Sequence, residues 1–221
     1  RGVRGYHAVP LPHAESVREG YLAGVFSEVD GQATRIIGEF PWPVLQMVGL
    51  PDPFGWTIEL DGERLDLAVG EVASYERSLD MRTAMLETRV RWRSPAGRTT
   101  HLRFQRFLSA ANPHLACQRI GITPEGWTGT ARIVKGIEGD TPTYFRCGDR
   151  SQPHLPQHHG HSQEVRVVDG TGVVSMMTAQ TAHRLAMASR LVGDEPASTQ
   201  VDGASAIEQR LEATVTDGAA F

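Results

Sequence analysis

Apolar residues recur at every second position along most of this chain of 221 residues. This spacing is typical of strands that bury one face and expose the other. The clearest case spans Trp56–Leu67, where two alternating segments flank the pair Asp61-Gly62. An Asp-Gly pair in that setting predicts a two-residue hairpin turn, because both turn positions require a positive φ. The predicted register places Ile58 opposite Leu65, with both side chains on the apolar face.

A second hairpin is predicted between Leu86 and Phe107. Its first strand alternates apolar with charged residues, and its turn is Ser94–Gly97. Phe107 falls out of the period set by Phe104, so we expect a β-bulge at Gln105-Arg106 that returns Phe107 to the core side. The arginine-rich face of this hairpin is interpreted as the solvated face of an antiparallel sheet, not as a track for phosphate groups.

The same alternation between turns predicts further strands, with at most one helical turn, at Asp80–Glu87. The strands are Leu115–Ile122, Gly129–Ile137, Glu164–Val168, Val173–Thr178, His183–Leu191 and Ile207–Val215, with a hairpin turn at Asp169–Gly172. Predicted loops are the proline-containing segments Pro41–Pro43 and Pro51–Gly55 and the long stretch Asp140–His161. This spacing favours an all-β antiparallel sandwich that forms one domain over residues 1–221.

Composition and charge narrow the classes of partner. The formal net charge of −4 gives no reason to expect nucleic acid, and no apolar run is long enough to cross a bilayer. The only cysteines, Cys117 and Cys147, are expected to be reduced thiols in a cytoplasmic protein. Lys135 is the single lysine among 22 basic residues, which we interpret as the coding bias of a GC-rich bacterial genome.

A run of histidines is the first candidate for chemistry. His154, His158, His159 and His161 lie close together in the predicted loop. Imidazoles at short spacing bind zinc or nickel, but no Cys, Asp or Glu follows until Glu164. We therefore interpret the run as a polar loop that could hold a metal only adventitiously, and we expect neither a native metal nor another cofactor.

Several short segments occur in a distinctive order. They are Gly2–Gly5, Gly20–Phe26, Leu50–Gly55, Leu60–Leu67, Leu79–Arg82, Val90–Thr100, His114-Leu115 and Ile120–Pro124. Together they resemble the N-terminal domain of glycoside hydrolase family 65, which contains maltose, trehalose and kojibiose phosphorylases and related trehalases. The resemblance extends to about Asp140, after which the sequence departs from the family pattern.

The resemblance implies a β-super-sandwich of the galactose mutarotase-like type. In whole enzymes of the family, a downstream barrel of paired helices carries the glutamate general acid and the phosphate site. We therefore expect a chain trimmed at both ends, without its catalytic barrel and inactive alone. The parent would cleave an α-linked glucose disaccharide with inversion, using water or inorganic phosphate as co-substrate, and partners would be the downstream domain and a second copy in a homodimer.

Two residues are candidates for contact with a sugar. Arg4, in the Gly-Val-Arg-Gly segment, is a substrate-side candidate, with a structural ion pair as the alternative. Trp42, between two prolines, is the tryptophan best placed to line a carbohydrate surface, with packing of its loop as the alternative. Catalytic residues are not expected in this chain.

Carboxylate pairs are a second candidate for chemistry, because glycoside cleavage uses two acids, or one acid and an external nucleophile. The pairs are Glu76 with Asp80, Glu138 with Asp140, and Asp194 with Glu195. All lie in charged or glycine-rich surroundings, so solvated surface carboxylates are predicted.

Two other interpretations stay open. One is a stand-alone carbohydrate-binding or scaffold module without an enzymatic parent, which period-two strands and loop aromatics fit equally well. The other is a stand-alone mutarotase-like enzyme, which needs a histidine and a carboxylate converging on the concave face of a sheet. His101 and His114 are available for that role, but the sequence alone shows no convergence.

Overall fold

The structure, a computed structural model, describes residues 3–6, 19–29, 44–52, 54–141, 143–144, 156–157 and 160–221. All regular structure among these residues is β-strand, and all strand pairs are antiparallel. The strands are β1 (Val3–Tyr6), β2 (Glu19–Leu22), β3 (Phe26–Val29), β4 (Val44–Met47), β5 (Thr57–Leu60), β6 (Glu63–Arg64), β7 (Glu71–Asp80), β8 (Met85–Arg93), β9 (Thr99–Leu108), β10 (Ala116–Glu125), β11 (Gly129–Glu138), β12 (Thr143–Tyr144), β13 (Pro156–Gln157), β14 (Gly160–Val168), β15 (Thr171–Thr178), β16 (Arg184–Ser189), β17 (Ser198–Asp202) and β18 (Ala206–Val215). The predicted all-β, antiparallel fold class is confirmed.

Two larger sheets form a sandwich. One has four strands in the order β10-β9-β8-β7, and the other has five in the order β17-β18-β11-β5-β6. A three-stranded sheet, β14-β15-β16, and the pairs β1-β2, β3-β4 and β12-β13 complete the described strands. No helix within the described residues is long and apolar enough to span a membrane.

The main hydrophobic core lies between the two larger sheets. Buried side chains from both sheets form one cluster, because each strand turns every second residue inward. Those of the four-stranded sheet are Val90, Trp92, Leu102, Phe104 and Ile122, and those of the five-stranded sheet are Ile58, Leu60, Ala131, Ile133, Leu211, Ala213 and Val215.

A second, smaller core joins the five-stranded sheet to the three-stranded sheet. It consists of Ile137, Val174 and Ile207. Between the two cores lies the fully buried Gln209 of β18, whose amide oxygen accepts a hydrogen bond from the Ser189 hydroxyl at 2.8 Å. A buried amide needs such partners, because an unpaired polar group in an apolar interior is destabilising.

The Asp61-Gly62 hairpin is confirmed in turn type and register. Asp61 has φ 50° and Gly62 has φ 82°, both in the left-handed region that the turn requires. The Leu65 amide donates to the Ile58 carbonyl at 2.8 Å, which fixes the predicted pairing of these two residues. The returning strand is shorter than predicted, since β6 ends at Arg64.

The second hairpin is also confirmed, but its predicted bulge is wrong. Val90 pairs with Leu102 and Trp92 with Thr100, as the alternation requires. Phe107 pairs with Cys117 in a register that runs unbroken through Gln105 and Arg106. The odd position of Phe107 therefore turns its half-buried side chain to the face opposite Phe104.

The helical turn expected at Asp80–Glu87 does not form. The chain makes a tight turn at 81–84 and enters β8 at Met85. The Asp80 carboxylate accepts hydrogen bonds from the Arg82 amide at 2.9 Å and the Thr83 hydroxyl at 2.8 Å. Such local bonds from an aspartate side chain stabilise a turn in competition with a helix.

Of the predicted loops, Pro51–Gly55 is free of strands in its described residues, and Pro41–Pro43 lies outside them. The expectation of a continuous loop over Asp140–His161 is wrong for its described part. That part contains the paired strands β12 and β13 and the start of β14. The remainder of that stretch, with Cys147, lies outside the described residues, while Cys117 is a free thiol.

Candidate functional site

The structure describes only some of the candidate residues that the sequence indicated. Arg4 lies in β1, where its backbone pairs with Tyr21 of β2. His161 lies in β14 with an exposed side chain. Trp42, His154, His158 and His159 lie outside the described residues. The substrate-side role of Arg4 and Trp42 therefore stays a prediction.

No group of three or more His, Cys, Asp or Glu side chains in the described part of the chain could hold a metal ion. Three of the four clustered histidines lie outside that part. The interpretation of the histidine run as an adventitious metal site thus also stays a prediction.

A groove of about 500 Å³ lies over the open face of the four-stranded sheet and is the candidate site. We call it the arginine groove. Its lining contains four arginines and a single carboxylate. The residues that line it are Ser74, Tyr75, Glu76, Arg89, Val90, Arg91, His101, Leu102, Arg103, Gln105, Arg119, Gly121, Thr123, Ala220 and Phe221.

Strand register explains why these side chains meet. One row across the sheet pairs Glu76 with Arg89, Arg89 with Arg103, and Arg103 with Gly121. Directly opposed residues of an antiparallel sheet point to the same face, so a charged row forms where each strand places its polar residue. Gly121 ends the row without a side chain, which leaves a hollow beside Arg103.

The far edge of the groove is formed by the end of the chain. Phe221 and Ile122 exchange two backbone hydrogen bonds, each of 2.9 Å, along the outer edge of β10. The Phe221 carbonyl lies 3.8 Å from the position that a Cβ on Gly121 would occupy. This pairing covers part of a strand edge that would otherwise expose unpaired amides.

Glu87 fixes the arginines at one end of the groove. One of its oxygens accepts hydrogen bonds from Arg103 Nε at 2.9 Å, Arg103 Nη2 at 2.6 Å and Gln105 Nε2 at 2.7 Å. Its other oxygen lies 2.5 Å from Arg89 Nε. The hydrogen bond from Arg103 is the main reason why the pKa of Glu87 lies below its ordinary value.

Glu125 has the same role at the other end. Arg91 forms a bidentate pair with it, from Nε at 2.9 Å and from Nη2 at 2.7 Å, and His101 Nε2 lies 2.7 Å from the same carboxylate. Hydrogen bonds from Arg91 and then from His101 lower the pKa of Glu125 to about 2. This carboxylate is therefore ionised near neutral pH and is a weak base.

The contact between His101 and Glu125 was missed in the sequence, where the two residues are 24 positions apart. Register could have indicated it, because Thr123 pairs with His101 and Glu125 is the next residue on the same face of β10. A mutarotase-like mechanism is not favoured by this geometry. The histidine and the carboxylate bind each other directly instead of flanking an open space for a sugar.

The carboxylate pairs considered from the sequence show no sign of a general acid. Glu76, Asp80, Glu138 and Asp140 are exposed, as are Asp194 and Glu195. Hydrogen bonds hold the pKa values of Glu63, Asp80, Glu87 and Glu125 below their ordinary values. A general acid for glycoside cleavage requires a raised pKa, so none of these four groups is suited to that role.

A second polar cluster surrounds the only lysine. The Lys135 ammonium lies 5.3 Å from the centre of the Trp56 ring, and burial lowers the pKa of Lys135. The indole of Trp56 donates to the Gln118 side chain at 2.7 Å, linking the two larger sheets. These contacts pack the end of the Pro51–Gly55 loop against the sandwich.

The chain is similar to known proteins over most of its length. The family model described as the N-terminal domain of glycosyl hydrolase family 65 matches residues 2–221. A kojibiose phosphorylase from Halothermothrix orenii is 37% identical over 154 residues, which are 67% of this chain and 18% of that protein. An α,α-trehalose phosphorylase from Geobacillus stearothermophilus is 30% identical over 173 residues, which are 76% of this chain and 22% of that protein.

A solved structure has the same fold. It is described as a candidate kojibiose phosphorylase from the human microbiome, and it matches 95% of this chain with a TM-score of 0.76 at 14% sequence identity. The matched region is 26% of that longer chain. The present chain thus spans about a fifth to a quarter of the length of these relatives.

Proposed function

This chain belongs to glycosyl hydrolase family 65 as its N-terminal domain, and from that membership we propose that it is the β-sandwich of an inverting α-glucoside phosphorylase or hydrolase. Such an enzyme acts on disaccharides in carbohydrate metabolism. The observation that carries the proposal is the match of the family model to residues 2–221. The relatives named as kojibiose and trehalose phosphorylases support an α-linked glucose disaccharide as substrate and inorganic phosphate as co-substrate of the parent.

In this proposal the chemistry takes place downstream of the chain, in a barrel of paired helices. The chain forms a single domain over residues 1–221. The lowered pKa values of its shifted carboxyl groups support this division of labour, because none of these groups is suited to protonate a leaving group. The small share of each relative that the chain matches supports it as well.

The domain itself stabilises the parent and supplies contacts around the sugar site. The sandwich, with a core built from two sheets, is a rigid support for such contacts. Arg4 and Trp42 remain the proposed substrate-side residues. Partners are the downstream catalytic domain and a second copy in a homodimer, and the setting is the bacterial cytoplasm.

The proposal is tested by supplying the chain in trans. The downstream polypeptide of the parent gene is expressed with and without the 221-residue chain, and phosphorolysis of kojibiose and trehalose is measured. We expect the downstream part alone to be insoluble or inactive and the chain to restore activity. Full activity of the downstream part without the chain would contradict a supporting role. A gene in which no helical barrel follows would favour a stand-alone binding or scaffold module instead.

A further inference from the structure

The proposed function rests on the family match of the chain and does not make use of the arginine groove. Its lining places four arginines around one hollow, with Glu76 as the only carboxylate among the lining residues. Glu87 and Glu125 form ion pairs with three of these arginines, Arg89, Arg103 and Arg91. With Glu76, three carboxylates therefore stand against four arginines, and the excess positive charge that remains attracts an anion.

Two of these arginines are held in fixed orientations. Arg103 uses Nε and Nη2 to bind Glu87, and Arg91 uses the same two nitrogens to bind Glu125. A guanidinium has five N–H donors, so the Nη1 donors of both residues are left for a ligand. Side chains immobilised in this way lose little further entropy when they bind.

Arg119 supplies a charge that no carboxylate of the described residues neutralises. It is exposed on β10, two residues from Gly121 and on the same face. Within the described residues, no carboxylate lies within ion-pair distance of its guanidinium. An unpaired arginine beside a hollow lined by other arginines is suited to an anion.

The hollow itself depends on Gly121. A Cβ at this position would lie 3.6 Å from the Arg103 Cβ, an ordinary van der Waals contact. The backbone would therefore accept a larger residue, and the missing side chain is space that a ligand can occupy. The hydroxyls of Ser74 and Thr123 and the amide of Gln105 also line the groove.

From this arrangement we infer that the arginine groove binds a phosphorylated monosaccharide, with its phosphate at the arginines and its hydroxyls at Ser74, Thr123 and Gln105. Guanidinium groups match the oxygen geometry of a phosphate ester, and hydroxyl and amide groups match sugar hydroxyls. A volume of about 500 Å³ falls in the range of small-molecule sites. This inference does not depend on the proposed function.

The test is calorimetric titration of the 221-residue chain with glucose 6-phosphate, inorganic phosphate and glucose. We expect saturable binding of glucose 6-phosphate, weaker binding of inorganic phosphate and no binding of glucose. Because phosphate contacts are charge-assisted, affinity should also fall as salt is added.

Three variants locate the site. Arg119→Gln removes the unpaired charge, and Gly121→Val fills the hollow without changing any charge; each should weaken glucose 6-phosphate binding by about tenfold or more. Arg184→Gln, at an exposed position in the three-stranded sheet, is the matched control and should bind as the unmodified chain does. Thermal unfolding of each variant verifies that the fold is retained.

Several results would overturn the inference. One is the absence of saturable binding up to about 10 mM glucose 6-phosphate, a weaker affinity than a built site should give. A second is equal loss in Arg184→Gln, which would indicate nonspecific charge attraction. If glucose bound as tightly as glucose 6-phosphate, the groove would be a site for neutral sugars. If inorganic phosphate bound as tightly as glucose 6-phosphate, the groove would recognise phosphate alone and not a phosphorylated sugar. The outcome is separate from that of the in-trans experiment, which measures activity of the parent.

Discussion

Arg91 and His101 share the Glu125 carboxylate, so three adjacent strands are joined by one charged group on the open face of the sheet. The pKa of Glu125 in the folded chain is about 2, below its ordinary value of 4.5. The folded state therefore binds this proton more weakly than the unfolded state does. The stabilisation is fully present above about pH 4.5 and is lost as the pH falls towards 2.

We predict that Arg91→Gln raises the pKa of Glu125 towards 4.5, because Arg91 is the largest cause of the lowering. The measurement is an NMR titration of the Glu125 carboxyl carbon in the two proteins. Arg184→Gln serves as the control and should leave the titration unchanged, since Arg184 lies on another sheet. A titration midpoint that stayed near 2 in Arg91→Gln would show that a group other than Arg91 lowers the pKa of Glu125.

Single residues also show what the sequence could and could not predict. The alternation of the second predicted hairpin puts Trp92 on the apolar face of its strand, and Trp92 is 1% exposed. The hydrogen bond between Trp56 and Gln118 joins residues that are 62 positions apart, and no local pattern encodes it. Burial thus follows from periodicity, whereas polar partners depend on which strands become neighbours.

At the scale of the elements, hairpins were the most predictable feature. Asp61-Gly62 and Asp169-Gly170 both adopt positive φ in two-residue turns, as their residue types indicate. Strand β7 was missed, because a shift in register between Val72 and Ser74 breaks the alternation that marks a strand. The predicted bulge was instead in β9, at Gln105-Arg106. It was inferred from Phe107, whose side chain points to the other face of the sheet without any bulge.

The turn chemistry leads to a prediction about stability. We expect Gly62→Ala to lower the free energy of unfolding by about 1 kcal/mol, because a Cβ is strained at φ 82°. Gly136→Ala is the matched control: this glycine lies inside β11, and its nearest contact for a Cβ is at 3.9 Å. We expect that control to be neutral or slightly stabilising.

The measurement is urea unfolding followed by tryptophan fluorescence. Equal effects of the two substitutions would contradict the assignment of the turn, because a conformational cost is expected only at Gly62.

At the scale of the whole molecule, the central strand order is the part that sequence reasoning left open. Strand β11 pairs with β5 on one side and β18 on the other, although β18 follows it by almost 70 residues. Periodicity identifies strands but not such non-local neighbours. The family resemblance predicted the sandwich architecture, but it also did not specify which strands are neighbours.

The arginine groove was beyond sequence reasoning for the same reason. The alternating arginines were correctly placed on an open sheet face, but that face was interpreted only as solvated. The hollow arises because Gly121 pairs directly with Arg103 on the neighbouring strand and Phe221 pairs with Ile122 at the edge of the sheet. Both contacts require the folded sheet, and one of them brings together residues 99 positions apart along the sequence.

We propose that this domain supports a family 65 enzyme and does not itself cleave glycosidic bonds. The most direct measurement is the release of glucose phosphate or glucose when the purified chain is incubated with kojibiose, trehalose or maltose, with and without phosphate. We predict no release above the rate of a buffer blank, because the carboxyl groups Glu63, Asp80, Glu87 and Glu125 have lowered pKa values that do not suit a general acid. Turnover that co-purifies with the chain, and that is lost when its own carboxylates are replaced, would contradict the claim.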